Sequence, residues 1–103
     1  MLTLLVPVDG SKNSLRAVKY AAAQSKHCPV TLHILNVEPP LDDYGMVRAY
    51  GDAPAVIADL GRRLKCDAIV MGTRGMTTLG SLVPESVASK VVHMAKVPVT
   101  LVK

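Results

Sequence analysis

Leu2-Thr3-Leu4-Leu5-Val6-Pro7-Val8-Asp9-Gly10-Ser11 decides how this chain folds. Leu2–Val8 is a near-continuous apolar run. A strand of that kind is covered on both faces, as in a parallel sheet. Asp9-Gly10 breaks the run, and a helix begins just beyond it. Ser11 or Asp9 can cap that helix, while Leu15, Val18 and Ala22 recur at helical spacing with bases on the opposite face. Cys28-Pro29 ends it.

The same grammar repeats outward along the chain. Val30–Val37 alternates as a strand, with Val30, Leu32 and Ile34 on one face and Thr31, His33, Leu35 and Val37 on the other. Prolines, acids and glycine from Glu38 to Gly45 make a loop. Gly51-Asp52-Ala53-Pro54 opens a second helix. Asp52 serves as cap and Pro54 sits in the first turn, where a missing N–H costs little. Val56, Ile57, Leu60 and Leu64 form its apolar stripe, and Arg62, Arg63 and Lys65 suit the negative end of its dipole. Ala68–Met71 is a short strand breaking into Gly72-Thr73-Arg74-Gly75. Pro84-Glu85-Ser86 opens a last helix with Val87, Val91 and Met94 inward. Val97–Val102 closes as a strand, and Pro98 within it argues for an edge position. Strands alternating with helices specify a three-layer α/β fold, a parallel sheet with helices on both faces. No linker divides the chain, so residues 1–103 form one domain.

Composition removes several classes of function. Half of the 103 residues are hydrophobic and 19% are charged, which suits a folded core. No apolar run reaches the roughly 18 residues of a membrane span. The first residues carry neither the basic region nor the small-residue cleavage site of a secretory leader. Cys28 and Cys66 have no close-spaced companions, so a reduced, cytoplasmic protein is the expectation. The net charge of +4 is spread along the chain, and three tyrosines are its only aromatics. Stacking platforms for single-stranded nucleic acid are therefore scarce, and no nucleic-acid partner is expected. The histidine spacings match no helical metal pair, and no metal site is expected.

Ligands of open parallel sheets bind beyond the carboxyl ends of the strands, where the strand order reverses. Here those ends are Asp9-Gly10, Val37 and Gly72. A carboxylate at Asp9 can accept hydrogen bonds from an adenine amine or a ribose, or it can cap the helix. Gly72-Thr73-Arg74-Gly75 can turn backbone N–H groups toward phosphate, or it can be a tight turn. Ser86, opening the last helix, can meet a phosphate, or it can be an ordinary first-turn residue. No nucleophile and base stand in a recognisable set, so a phosphotransfer enzyme or hydrolase is not favoured.

Together these segments resemble the universal stress protein family. The resemblance rests on Leu4–Ser11 with Ser14-Leu15-Arg16-Ala17, on Leu32–Val37, on Cys66–Gly75 and on Ala95–Val102, and it spans nearly the whole chain. It implies an adenine-nucleotide alpha-hydrolase-like fold and a homodimer paired along Val97–Val102. In one branch of the family it also implies ATP, with Mg²⁺, at the strand ends. By that resemblance Asp9, Val37 and Met71 take adenine- or ribose-side positions, and Pro7 and Val8 adjacent backbone positions. Gly72, Gly75, Ser86 and Val87 take phosphate-side positions.

Two departures qualify what the resemblance implies. The chain lacks room for one helix and one edge strand between Val37 and Gly51. That leaves four strands and exposes the Val30–Val37 edge, where a new contact, by swapping or by oligomerisation, is expected. In addition, ATP-binding members carry Gly-x-x-Gly, nine residues, then Gly-Ser, whereas Glu85 here precedes Ser86. A carboxylate there repels phosphate, by about 1 kcal/mol for charges roughly 4 Å apart in water. Two functions follow: a stress-response regulator gated by ATP with at most slow hydrolysis, or a member that binds no nucleotide and works through protein–protein contact.

Overall fold

The computed structural model describes residues 1–37, 53–73 and 85–103, the side chains of Glu85 and Ser86 excepted. The expected 38–45 loop, the Asp52 cap, Arg74, Gly75 and Pro84 lie outside those residues. The chain runs β1 (Leu2–Val8), α1 (Lys12–Ala23), a 3₁₀ turn (Gln24–Lys26), β2 (Val30–Asn36), α2 (Ala53–Arg63), β3 (Ala68–Gly72), α3 (Glu85–Met94) and β4 (Val99–Val102). All strand pairs are parallel, in the order β2-β1-β3-β4. The α/β expectation holds, and among the described residues there are four strands with β2 at one edge. The last strand starts at Val99, so Pro98 precedes it rather than interrupting it. Its carbonyl accepts the Ile69 N–H at 2.9 Å, and its missing donor costs nothing there.

Alternation along β1 and β3 divides the core in two. Leu4, Val6 and Val70 face α1 and pack on Ala17 and Ala21. Leu5, Ile69 and Met71 face the other way, onto Ile57 of α2 and Ala88 and Val91 of α3. Each large side chain buried here contributes about 1.5–3 kcal/mol. Buried Cys66 belongs to the second cluster, and burial, helped by the neighbouring Asp67 charge, pushes its thiol up. It packs as a small apolar residue.

The helix faces differ from the sequence expectation. α1 buries Asn13, Ser14, Ala17 and Ala21, while Leu15 is 52% exposed. α2 buries Pro54, Ile57, Ala58 and Gly61, and leaves Val56 and Leu64 exposed. Val91 of α3 points inward as expected, but Met94 is exposed. Small residues win the inward positions because the helices lie close to the sheet. At Gly61 an added Cβ would stand only 3.0 Å from Ile69 Cδ1.

Local chemistry sets the helix ends. Ser11 is the cap of α1: its Oγ accepts the Ser14 N–H at 3.1 Å. α2 closes with Lys65 in the left-handed region (φ 54°). There the Cys66 N–H bonds the Gly61 carbonyl at 2.9 Å and the Lys65 N–H bonds the Arg62 carbonyl at 3.1 Å. Arg62 and Arg63 sit in its last turn and reach back to Asp59, at 2.8 and 3.4 Å. Among the described residues no helix is long and apolar enough to cross a membrane.

Candidate functional site

The chain passes from β1 to β2 on one side, then crosses back to β3 and β4 on the other. The order therefore reverses between β1 and β3. Asp9 follows β1 at that point, and Gly72 ends β3 opposite it. Between them lies a crevice lined by Pro7, Asp9, Ser11, Asn13, Ser14, Met71 and Gly72, with about 10 Å³ of open volume.

Asp9 is 3% exposed. Its Oδ1 accepts the Ser11 N–H at 2.9 Å, and its own N–H donates to Ser14 Oγ at 3.4 Å. Ser14 Oγ in turn donates to the Ser11 carbonyl at 2.9 Å. Asp9 thus shapes the turn while Ser11 caps the helix, which settles the choice the sequence left open. Val8 closes β1, and its carbonyl accepts the Val37 N–H at 2.7 Å. That bond holds the end of β2 level with the end of β1. Pro7, one residue back, pairs with Leu35.

Of the adenine-side candidates, Met71 is fully buried and Val37 packs half-buried against the same cluster; Val87, from the phosphate-side set, packs half-buried against that cluster too. Val8 packs on the α1 face instead. Gly75 lies outside the described residues. Ser86 is the second residue of α3, and its side chain lies outside them too.

Asn13 has no counterpart in the sequence reading. It is 6% exposed on α1, and its Nδ2 donates to the Val102 carbonyl at 3.2 Å. The Thr73 N–H also reaches that carbonyl, at 2.9 Å. A Cβ at Gly72 would run into Asn13 Oδ1 and lie 2.8 Å from its Cγ. A side chain at residue 72 would therefore force Asn13 to shift, independently of any ligand. Only a polar residue on the inward side of α1, next to Ser14, signals this beforehand. Among the described residues no group of His, Cys, Asp or Glu could hold a metal ion.

Apolar Pro7 and Met71 thus stand beside the buried Asp9 carboxylate at the switch point. Of the phosphate-side candidates the described residues include Gly72, next to Asn13, Val87, and the backbone of Ser86.

A family model described as the Universal stress protein family matches residues 1–49 and 43–103. No curated protein gives a significant match. Among solved structures, the universal stress protein UspA from Lactobacillus plantarum is 20% identical with a TM-score of 0.76, over 99% of this chain and 97% of that one. The universal stress protein from Archaeoglobus fulgidus, in complex with dAMP, is 21% identical with a TM-score of 0.71, over 100% and 98%. A universal stress protein in complex with cAMP is 26% identical with a TM-score of 0.70, over 99% and 96%.

Proposed function

We propose that this chain, which belongs to the universal stress protein family, is a stress-response regulator that binds an adenine nucleotide at the β1–β3 switch point. The observation that carries the reading is the crevice at the switch point, where Met71 stands on the wall beside the buried Asp9. Related structures in complex with dAMP and with cAMP support the ligand class. By the family resemblance Val37 and Met71 take the base side with Asp9, and Pro7 and Val8 adjoin it along the backbone. By the same resemblance Gly72, Gly75, Ser86 and Val87 take the phosphate side. With ATP, Mg²⁺ would offset the phosphate charge. No residue is assigned as a catalytic base, so hydrolysis is at most slow.

A second reading rests on Asn13 and Glu85. The space over Gly72 is taken, and α3 opens with an acid where phosphate would sit. On that reading the chain works through protein contact alone. Calorimetric titration of adenosine, AMP and Mg²⁺–ATP decides. The nucleotide reading expects adenosine and AMP to bind, ATP to bind more weakly, and Glu85→Gly to raise ATP affinity by about tenfold, or 1.4 kcal/mol. Silence with all three ligands establishes the second reading. Asp9→Asn keeps an acceptor for Ser11 and separates loss of ligand from loss of the turn.

A second copy is proposed to pair along β4. This edge adjoins exposed Val92 and Leu101 and a cleft of about 300 Å³ shared by β4 and α3. Light scattering at micromolar concentration should give a dimer that Leu101→Lys weakens. A monomer would remove the proposal.

A further inference from the structure

The β2 edge differs from the β4 edge in charge. α1 lies over β1 and β3 and extends to β4, but it only touches β2. The strip it leaves beside β2 is a cleft of about 350 Å³ lined by Val8, Leu15, Val18, Ile34 and Lys12. Leu15 is 52% exposed and Ile34 55% exposed, one on each wall. An apolar trough between a helix and a sheet edge has the shape a second helix would fill. The charged residue on its lining is Lys12; Arg16 and Lys19 are exposed further along α1, and residues 10–37 contain no Asp or Glu.

We infer that this trough docks an acidic amphipathic helix of another protein, with its apolar stripe on Leu15, Val18 and Ile34 and its carboxylates on Lys12 and Lys19. The sign of the charge chooses the partner. A second copy placed symmetrically here would set lysines and arginine against lysines and arginine, and like charges across an interface disfavour that pairing. An acidic helix meets the same rim with attraction, and the association weakens as salt screens it. The inference does not rest on nucleotide binding: the trough and the Asp9 crevice are separate clefts that share Ser11 and Ser14, with Val8 of the proposed nucleoside site on the trough's wall.

The test uses the full chain labelled with ¹⁵N and two synthetic probes of about four helical turns. One carries leucines at helical spacing with glutamates elsewhere, and its twin carries lysines in place of the glutamates. The acidic probe should shift the amides of Leu15, Val18 and Ile34 and leave that of Leu101 unmoved, and the basic twin should not bind. Leu15→Lys should weaken the acidic probe about tenfold or more. That side chain is half exposed, so the fold should survive the change. Lys12→Glu with Lys19→Glu should reverse the preference between the probes. Equal response to both probes overturns the inference, and so does a preference that survives the charge reversal. Silence with both overturns it as well, since a trough filled from within the chain accepts neither. Finally, a dimer that Ile34→Glu converts to monomer would assign the trough to a second copy and overturn it.

Discussion

Against one face of the sheet lie two helices, α2 and α3, which also touch each other. Against the other, among the described residues, lies α1 alone. The paired face is sealed: Ile57, Ile69 and Val91 are fully buried between helices and strands. The single-helix face is sealed only over β1 and β3, where Ala17 and Ala21 let α1 settle close to the sheet. Beyond that contact, Leu15 and Ile34 stand in the open. The difference shows how a four-strand sheet divides its labour. One face holds the fold together, and the other has surface left over for contact with something else.

Truncating one side chain on each face breaks or sharpens that comparison. Ile57→Ala should destabilise by about 2–5 kcal/mol, because it opens a void in a filled core. Leu15→Ala should stay within about 0.5 kcal/mol, as for an ordinary exposed position. Urea unfolding of both variants measures the pair. A large loss at Leu15 would mean that the open face is covered in solution.

The next effect is expected where the two faces meet at the strand ends. Gly72→Ala forces Asn13 aside and should cost about 1–3 kcal/mol. Asn13→Ala removes the obstruction, so the double variant should lose less than the sum of the two single changes. A double-mutant cycle by denaturation reads this coupling. Strict additivity would show that Asn13 does not dictate the glycine.

The smallest effect belongs to the outer surface of α2. The Arg62 hydrogen bond, then the contact from Arg63, holds the Asp59 carboxyl below its usual range despite some desolvation. A lowered folded value means that the contribution is present above the unfolded carboxylate range and is lost as pH falls through the folded value. Asp59→Asn should therefore lower the urea midpoint slightly at neutral pH and make no difference in strong acid. A midpoint difference that persists in acid would rule out the ion pairs as its source.

Much of this was legible in the residues. Leu2–Val8 and Ala68–Met71 carry unbroken apolar runs, and such runs have few ways to be buried. Ser11 stood in the capping position its chemistry favours. The inward faces of the helices were less legible, because periodicity ranks side chains by hydrophobicity while close packing on a sheet ranks them by size. Leu15, Val56, Leu64 and Met94 therefore read as core and are exposed, while Ala17, Ala21, Gly61 and Ala88 do the packing. At the candidate site, Asp9 and Gly72 could be placed at the strand ends from local pattern alone. Asn13 could not, because the partner that makes its burial affordable is a carbonyl on a distant strand.

That partner has a consequence for synthesis. The Asn13–Val102 bond joins residues 89 positions apart. A ribosome delivers α1 and β1 long before it delivers β4. Until residue 102 has cleared the exit tunnel, Asn13 lacks its acceptor and Val70 has no β4 neighbour at Thr100. Leu4 and Val6 can meet Ala17 and Ala21 early, whereas the tie across the carboxyl ends of the strands is made only when the last residues are delivered.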